Sequence, residues 1–129
     1  MCRYIFDWPN LIILEFYSLG DIFALPSLFE PWGLVINEAM CFSLPLVVSD
    51  KVGCGPDLVR EGENGLIFPG GDAAALASCL QRLVAEESLR SQMRQRSLEI
   101  ISKWNYQADV EGFLEALKVG PAKRKLRDG

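Results

Sequence analysis

Two carboxylates bracket a short run of residues in which chemistry could take place. Glu30 is followed by Pro31-Trp32-Gly33, and Glu38 comes after seven intervening residues. An apolar strand-like run precedes Glu30, and a helix-like run begins near Gly33. Glu30 is therefore expected in the loop at the carboxyl end of a strand, and Glu38 a little over one turn into the next helix. Ligands of open parallel sheets bind at that edge.

The start of the predicted helix supplies groups that suit an anion. Its first backbone N–H groups have no partner within the helix, and the positive end of the helix dipole lies at the same place. Gly33 has no side chain, so a ligand oxygen could approach the backbone closely. Amide donors for a phosphate and two carboxylate acceptors for hydroxyl groups suit a phosphorylated sugar or a nucleoside diphosphate sugar.

The elements that must position these residues alternate between strands and helices. Apolar periodicity and turn residues predict strands over 21–26, 44–49 and 66–68, and helices over 12–19, 33–42, from 56 onward, 73–85, 88–102 and 106–118. Such alternation predicts a parallel sheet with right-handed crossovers. The expected fold is an α/β domain over residues 12–118, a partial Rossmann-like parallel sheet flanked by helices, between an irregular start (1–11) and a solvated basic tail (119–129).

Composition excludes several classes of function. The chain has 129 residues, a net charge of −4 and no histidine. Nucleic-acid binding needs a basic face, so no nucleic-acid partner is expected. The absence of histidine excludes the commonest general base, a histidine-containing zinc site and a Ser-His-Asp triad.

The cysteines favour a reducing compartment. No two of them have C-x-x-C spacing, which argues against a thiolate metal site; they are Cys2, Cys41, Cys54 and Cys79. We expect reduced, mostly buried thiols in a cytoplasmic protein. The apolar stretch at 11–14 is broken by Glu15 and does not resemble a secretion signal. No stretch reaches the roughly 18 apolar residues that a membrane span requires.

The residues around the two glutamates carry a family resemblance. Six segments occur in order: Asp21-Ile22-Phe23-Ala24-Leu25-Pro26-Ser27, Glu30-Pro31-Trp32-Gly33-Leu34, Asn37-Glu38-Ala39-Met40, Leu44-Pro45-Leu46-Val47-Val48-Ser49-Asp50, Val52-Gly53 and Glu63-Asn64-Gly65-Leu66. This series, with its E-x7-E motif, resembles the retaining GT-B glycosyltransferases of glycosyltransferase family 4, over roughly residues 12–118. One E-x7-E alone is weak, but the ordered series is highly specific. The resemblance implies the second half of a GT-B C-terminal domain.

The resemblance also implies a donor site and a reaction. Glu38 would accept hydrogen bonds from the ribose hydroxyls of the donor. Glu30 would be the catalytic residue that contacts the transferred sugar, and its charge would tolerate an oxocarbenium-like transition state. The backbone amides of Gly33, Leu34 and Val35 would approach the diphosphate or the sugar. Such hexosyltransferases move a sugar from a nucleotide donor to an acceptor hydroxyl with retention at the anomeric carbon, and neither a metal ion nor another cofactor is expected.

The chain departs from the family pattern in two respects. The family usually has glycine where this chain has Ser43, which would be slightly strained if its φ is positive. Family members also carry an upstream Arg and Lys that grip the diphosphate, and an N-terminal acceptor domain. Neither lies in these 129 residues, and Lys51 and Arg60 are not at matching positions.

These departures predict that the chain alone transfers no sugar and needs an acceptor domain or a partner chain. The parent enzyme could associate peripherally with the inner face of a membrane. The alternative function is a non-catalytic module that binds a nucleotide sugar or another protein, or one subunit of a split glycosyltransferase.

Three further features have more than one interpretation. Trp32 could line a sugar pocket, or it could cover a surface that faces a partner domain. Gly53-Cys54-Gly55 hints at a dinucleotide fingerprint, but the pattern needs a third glycine where Leu58 stands, so a plain tight turn is favoured. Trp104 and Phe113 are predicted to pack, and the last helix is expected to leave apolar side chains exposed.

Overall fold

A parallel three-stranded sheet forms the centre of the molecule, and the computed structural model describes residues 11–118. The strands are β1 (Phe23–Leu25), β2 (Leu46–Ser49) and β3 (Gly65–Phe68), in that spatial order. The helices are α1 (Leu11–Leu19), α2 (Leu34–Cys41), α3 (Gly55–Leu58), α4 (Ala73–Ala85), α5 (Glu87–Ile101) and α6 (Tyr106–Lys118). The predicted α/β class is confirmed, whereas residues 1–10 and the predicted basic tail lie outside the described residues.

The central strand β2 explains why the sheet needs cover on both faces. All of its residues are buried, and it pairs in parallel with β1 and with β3. Successive side chains of a strand point to opposite faces. Leu46 and Val48 accordingly belong to one apolar cluster and Val47 to another. The continuous apolar run is what a strand covered on both sides requires.

Each face of the sheet is covered by a different set of helices. On the first face, α1, α2, α3 and the end of α5 contribute buried side chains such as Ile36, Leu58 and Ile101. On the second face, α4 and the first half of α5 pack Leu83 and Met93 against β3. Helix α2 buries Ile36, Ala39 and Met40 against the sheet, and Val35 and Phe42 are half-buried. No helix of the described chain is long and apolar enough to cross a membrane.

The two outer edges of the sheet differ. At β3, the Glu61 carboxylate accepts a hydrogen bond of 2.6 Å from the backbone N–H of Ile67, and Glu61 also forms an isolated bridge with Gly65. At β1, no further strand pairs with the outer edge within residues 11–118. One edge is therefore occupied by a side chain of the same molecule, and the other has free backbone groups.

Helix α2 ends in a left-handed turn at Ser43. Its φ is 61°, and it is the one non-glycine residue with positive φ in the described part of the chain. The N–H of Ser43 donates to the carbonyl of Met40, and the N–H of Leu44 donates to the carbonyl of Ala39, both at 3.0 Å. These two bonds define a Schellman motif, in which glycine usually occupies the left-handed position. Ser43 was predicted to be slightly strained if its φ were positive, and its φ is positive.

Replacing Ser43 with glycine is expected to stabilise the chain. A residue other than glycine in the left-handed region costs roughly 1–2 kcal/mol. This cost exceeds the conformational entropy that glycine adds to the unfolded state, so the free energy of unfolding should rise by about 0.5–1 kcal/mol. Urea denaturation followed by circular dichroism measures this change. Ser43→Ala is the matched control, because it removes the hydroxyl and keeps the Cβ; an equal gain in both variants would contradict the explanation.

Candidate functional site

The backbone of Glu30 is fixed by the segment that follows β2. The N–H of Glu30 donates to the carbonyl of Lys51 at 3.2 Å, and the N–H of Gly53 donates to the carbonyl of Glu30 at 2.8 Å. Together they form an isolated parallel bridge between Glu30 and Val52. The loops that leave the carboxyl ends of β1 and β2 are thus joined directly before α2.

Gly53 brings these two loops into close contact. A Cβ at this position would overlap the carbonyl oxygen of Pro31 and lie 2.6 Å from its carbonyl carbon. No side chain fits there without moving one of the two loops. The sequence predicted a plain tight turn at Gly53-Cys54-Gly55, and the contact with Pro31 supplies the physical reason for its first glycine.

Cys54 lies in the same turn and is structural. Its thiol is buried, its Sγ lies 3.8 Å from the carbonyl oxygen of Gly33, and its backbone N–H donates to the carbonyl of Trp32 at 3.0 Å. Burial raises the pKa of Cys54 to about 11, with a smaller contribution from the charge of Asp57. The thiol therefore stays protonated at neutral pH, and it is a poor nucleophile there.

Gly33 begins α2 in a conformation that favours glycine. Its φ is 96° and its ψ is 60°, in the left-handed region, and no side chain caps the helix. A Cβ here would lie 3.2 Å from Val52 Cγ1 and 3.3 Å from Glu30 Cγ. The side chain of Glu30 therefore starts directly beside the first residue of the helix turn, and glycine leaves room for both groups.

Three successive backbone donors remain unpaired at this turn. The N–H of Ile36 donates to the carbonyl of Gly33 at 2.9 Å. By contrast, the N–H groups of Gly33, Leu34 and Val35 have no acceptor within residues 11–118. Unpaired N–H groups at the positive end of a helix dipole suit an anionic oxygen. The predicted donor-binding amides are thus all at the start of α2.

The two predicted glutamates differ in their surroundings. The half-buried carboxylate of Glu30 has no hydrogen-bond or ion-pair partner in the described part of the chain, so both of its oxygens can accept. Glu38, in the second turn of α2, is also half-buried. Its Oε2 accepts a hydrogen bond of 2.8 Å from the hydroxyl of Tyr17, which leaves Oε1 for another donor.

Tyr17 was not predicted as part of the site. It lies on α1, is 8% exposed, and stands 21 residues before Glu38. Burial raises the pKa of the Tyr17 hydroxyl well above its usual value, and the hydrogen bond and charge of Glu38 add to the shift. The hydroxyl therefore remains a donor at neutral pH. No periodicity or spacing in the sequence connects these two residues, because their contact depends on how α1 packs against α2.

A cavity of about 140 Å³ lies elsewhere at the carboxyl edge, on the side of α4. Its walls are Pro26, Phe68, Gly71, Asp72, Ala73 and Leu76. Neither Glu30 nor Glu38 lines it, so it is not the donor site that the sequence predicts. The start of α2 and the Glu30 side chain beside it form a separate surface.

Cationic groups do not reach the unpaired amides from the loop after β2. Lys51 Nζ pairs with Asp50 at 3.1 Å, and its side chain lies against Gly70 on the side of β3. Lys51 was not predicted to bind the diphosphate, and this placement is consistent with that. Within residues 11–118, no group of three His, Cys, Asp or Glu side chains is arranged to hold a metal ion.

Two tryptophans meet beside the loop that carries Glu30. The ring centroids of Trp32 and Trp104 are 6.0 Å apart at an angle of 51°, and Trp32 also packs against the first apolar cluster. The packing predicted for Trp104 is confirmed, and the two interpretations of Trp32 remain predictions. The exposed apolar side chains predicted for the last helix are also confirmed; they include Val110 and Leu114. The packing predicted for Phe113 is wrong, because this side chain on α6 is 65% exposed.

Comparison with known proteins identifies a family over most of the chain. The family model described as "Glycosyl transferases group 1" matches residues 4–99. The lipopolysaccharide core biosynthesis glycosyltransferase LpsE of Rhizobium meliloti is 32% identical over 108 residues, which are 82% of this chain and 31% of that protein. The chain spans between 10% and 31% of the length of the curated relatives it matches.

Solved structures share the fold. A sucrose-phosphate synthase from Thermosynechococcus elongatus is 30% identical with a TM-score of 0.69, over 82% of this chain and 27% of that one. Anabaena HepE, solved in complex with UDP, is 24% identical with a TM-score of 0.72, over 81% of this chain and 29% of that one. The three-stranded parallel sheet and its helices therefore match part of a GT-B glycosyltransferase structure.

Proposed function

The chain belongs to the glycosyl transferases group 1 family, and from that membership we propose that it is the donor-binding segment of a retaining glycosyltransferase of family 4. One observation carries the proposal. The start of α2 presents three successive unpaired N–H groups directly beside the Glu30 side chain. An anion and a polyhydroxylated group can be held together at such a place. A nucleoside diphosphate sugar contains both.

Each predicted residue has a role in this proposal. The amides of Gly33, Leu34 and Val35 bind the diphosphate at the positive end of α2. Glu38 accepts hydrogen bonds from the ribose hydroxyls through Oε1, since Oε2 is already bonded to Tyr17. Glu30 contacts the transferred hexose. The complexes of Anabaena HepE with UDP and with UDP-glucose support a nucleotide-sugar ligand for a fold of this kind.

The proposed reaction transfers a hexosyl group to an acceptor hydroxyl. The bond between the anomeric carbon and the diphosphate oxygen breaks, and a bond to the acceptor oxygen forms on the same face of the sugar. The amides stabilise the charge that develops on the departing diphosphate, and Glu30 stabilises the positive character of the sugar. The acceptor proton goes to the departing phosphate. These roles require no metal ion or other cofactor.

The remaining parts of the enzyme are proposed to lie elsewhere. This chain spans 31% or less of the curated relatives, so we assign the acceptor domain and the diphosphate-binding Arg and Lys to another part of the protein or to a partner chain. The reduced cysteines favour the cytoplasm, with peripheral contact to the inner face of a membrane for the whole enzyme.

A binding module without turnover is the second candidate. The observation that favours it is the placement of Lys51, which pairs with Asp50 and lies against Gly70 instead of approaching the start of α2. Diphosphate departure without a nearby cation is slow, whereas binding needs only the amides and the carboxylates. Assays of sugar transfer by this chain with and without a supplied acceptor domain separate the two functions.

Replacing Glu38 with glutamine tests the donor assignment. Hydrogen bonds to a charged acceptor contribute about 1.5–3 kcal/mol, so loss of the charge should weaken UDP or GDP binding by about tenfold. Isothermal titration calorimetry measures this change. Glu115→Gln, on the exposed surface of α6, is the matched control and should bind like the wild type. Equal affinities for all three proteins would overturn the ribose assignment.

A further inference from the structure

We propose that Tyr17 is a positioning residue of the donor site, which fixes the carboxylate of Glu38 in the orientation that receives the ribose. This inference rests on the proposed function. It starts from the hydrogen bond of 2.8 Å between the Tyr17 hydroxyl and Glu38 Oε2. The bond joins α1 to the second turn of α2 and engages one of the two carboxylate oxygens.

The ring of Tyr17 is held on two sides. It stacks on Phe42 with centroids 5.6 Å apart, and it tilts against Phe23 at 5.8 Å. Phe42 follows α2 and Phe23 belongs to β1, so the phenol is wedged between the helix that carries Glu38 and the edge strand. Burial leaves the ring little freedom, and its hydroxyl is therefore presented at a fixed place.

The Tyr17 hydroxyl determines how the Glu38 carboxylate is oriented and which of its oxygens remains available to a ligand. The terminal torsion of a glutamate is broad and permits many orientations when nothing holds the group. The bond to Tyr17 engages Oε2 and leaves Oε1 as the acceptor for a ligand hydroxyl. Because the carboxylate is already ordered, a nucleotide that binds does not have to order it, and the affinity is correspondingly higher.

The experiment compares Tyr17→Phe with the wild-type chain by calorimetric titration of UDP and of 2′,3′-dideoxy-UDP. Phenylalanine keeps the packing with Phe42 and Phe23 and removes only the hydroxyl. We expect UDP to bind about fivefold more weakly to the variant, and 2′,3′-dideoxy-UDP to bind both proteins equally. In a Glu38→Gln background, Tyr17→Phe should have a much smaller effect, since the two residues act as one unit.

The outcomes separate this inference from the proposed function. If UDP does not bind the wild type, or binds Glu38→Gln as tightly as the wild type, the donor assignment fails and the role of Tyr17 fails with it. If Glu38→Gln weakens binding but Tyr17→Phe does not, only the positioning role is overturned. Equal weakening of UDP and of 2′,3′-dideoxy-UDP also overturns it, because a general structural effect would not depend on the ribose hydroxyls. Should Tyr17→Phe not fold, Phe42→Leu replaces it as the test, because it removes the ring that stacks on Tyr17 and keeps the hydroxyl; an unchanged UDP affinity in that variant would overturn the positioning role.

Discussion

Gly53→Ala is expected to lower the free energy of unfolding by about 2–4 kcal/mol. Overpacking contributes about 1–3 kcal/mol of this loss, and one broken hydrogen bond contributes about 1 kcal/mol. The added Cβ would overlap the carbonyl oxygen of Pro31. The loops must separate to remove the overlap, which breaks the 2.8 Å bond from Gly53 N–H to Glu30. Because that bond also places Glu30 beside α2, nucleotide binding should weaken with stability.

Gly55→Ala is the matched control for this variant. Gly55 stands two residues later at the start of α3, and a Cβ there would have no atom within 4 Å. Its free energy of unfolding should stay within about 0.5 kcal/mol of the wild type. Urea denaturation gives the stabilities, and UDP titration gives the affinities at a temperature where both variants are folded. Equal stabilities for the two variants would contradict the close contact with Pro31.

Asn64→Ala is expected to lower the free energy of unfolding by about 2–4 kcal/mol, because a buried donor or acceptor left unsatisfied costs about 1–3 kcal/mol. The side chain of Asn64 is fully buried. Its Nδ2 donates to the carbonyl of Leu58 at 3.0 Å, and its Oδ1 accepts from the N–H of Arg60 at 2.7 Å. Alanine removes both partners at once and leaves the turn before β3 without its internal support.

The effect of Asn64→Ala should extend to the sheet. The backbone carbonyl of Asn64 accepts a hydrogen bond of 3.0 Å from the N–H of Leu46, so the turn also aligns β3 with β2. Denaturant unfolding and hydrogen exchange of the β2 amides measure the loss. Gln81→Ala, on the exposed surface of α4, is the reference variant. A loss no larger than that of Gln81→Ala would show that the two side-chain bonds contribute little.

The long helices were predictable because the sequence specifies both their faces and their ends. The predicted ranges 73–85 and 106–118 coincide with α4 and α6. At the start of α4, the Asp72 side chain accepts from the N–H of Ala75 at 2.9 Å, and aspartate is a residue type that favours this N-cap position. The strands were less well bounded. The range 21–26 was predicted where only Phe23–Leu25 pairs, because an apolar run includes residues that pack without joining the ladder.

The candidate site was predictable only where its parts are close in sequence. The positions of Glu30 in a loop, Gly33 at a helix start and Glu38 in the second turn follow from one local pattern, although their roles remain predictions. The contacts of Gly53 with Pro31 and of Tyr17 with Glu38 join residues about twenty positions apart. They arise from packing between elements, which periodicity and spacing do not encode.

The unequal edges of the sheet determine where a further strand can join it. Within the described residues, β1 has no partner on its outer side, whereas the Glu61 carboxylate accepts the N–H of Ile67 on the outer side of β3. A backbone donor that is already bonded to a side chain cannot pair with an incoming strand. Any added strand, from elsewhere in the protein or from another chain, is therefore received at β1 and not at β3.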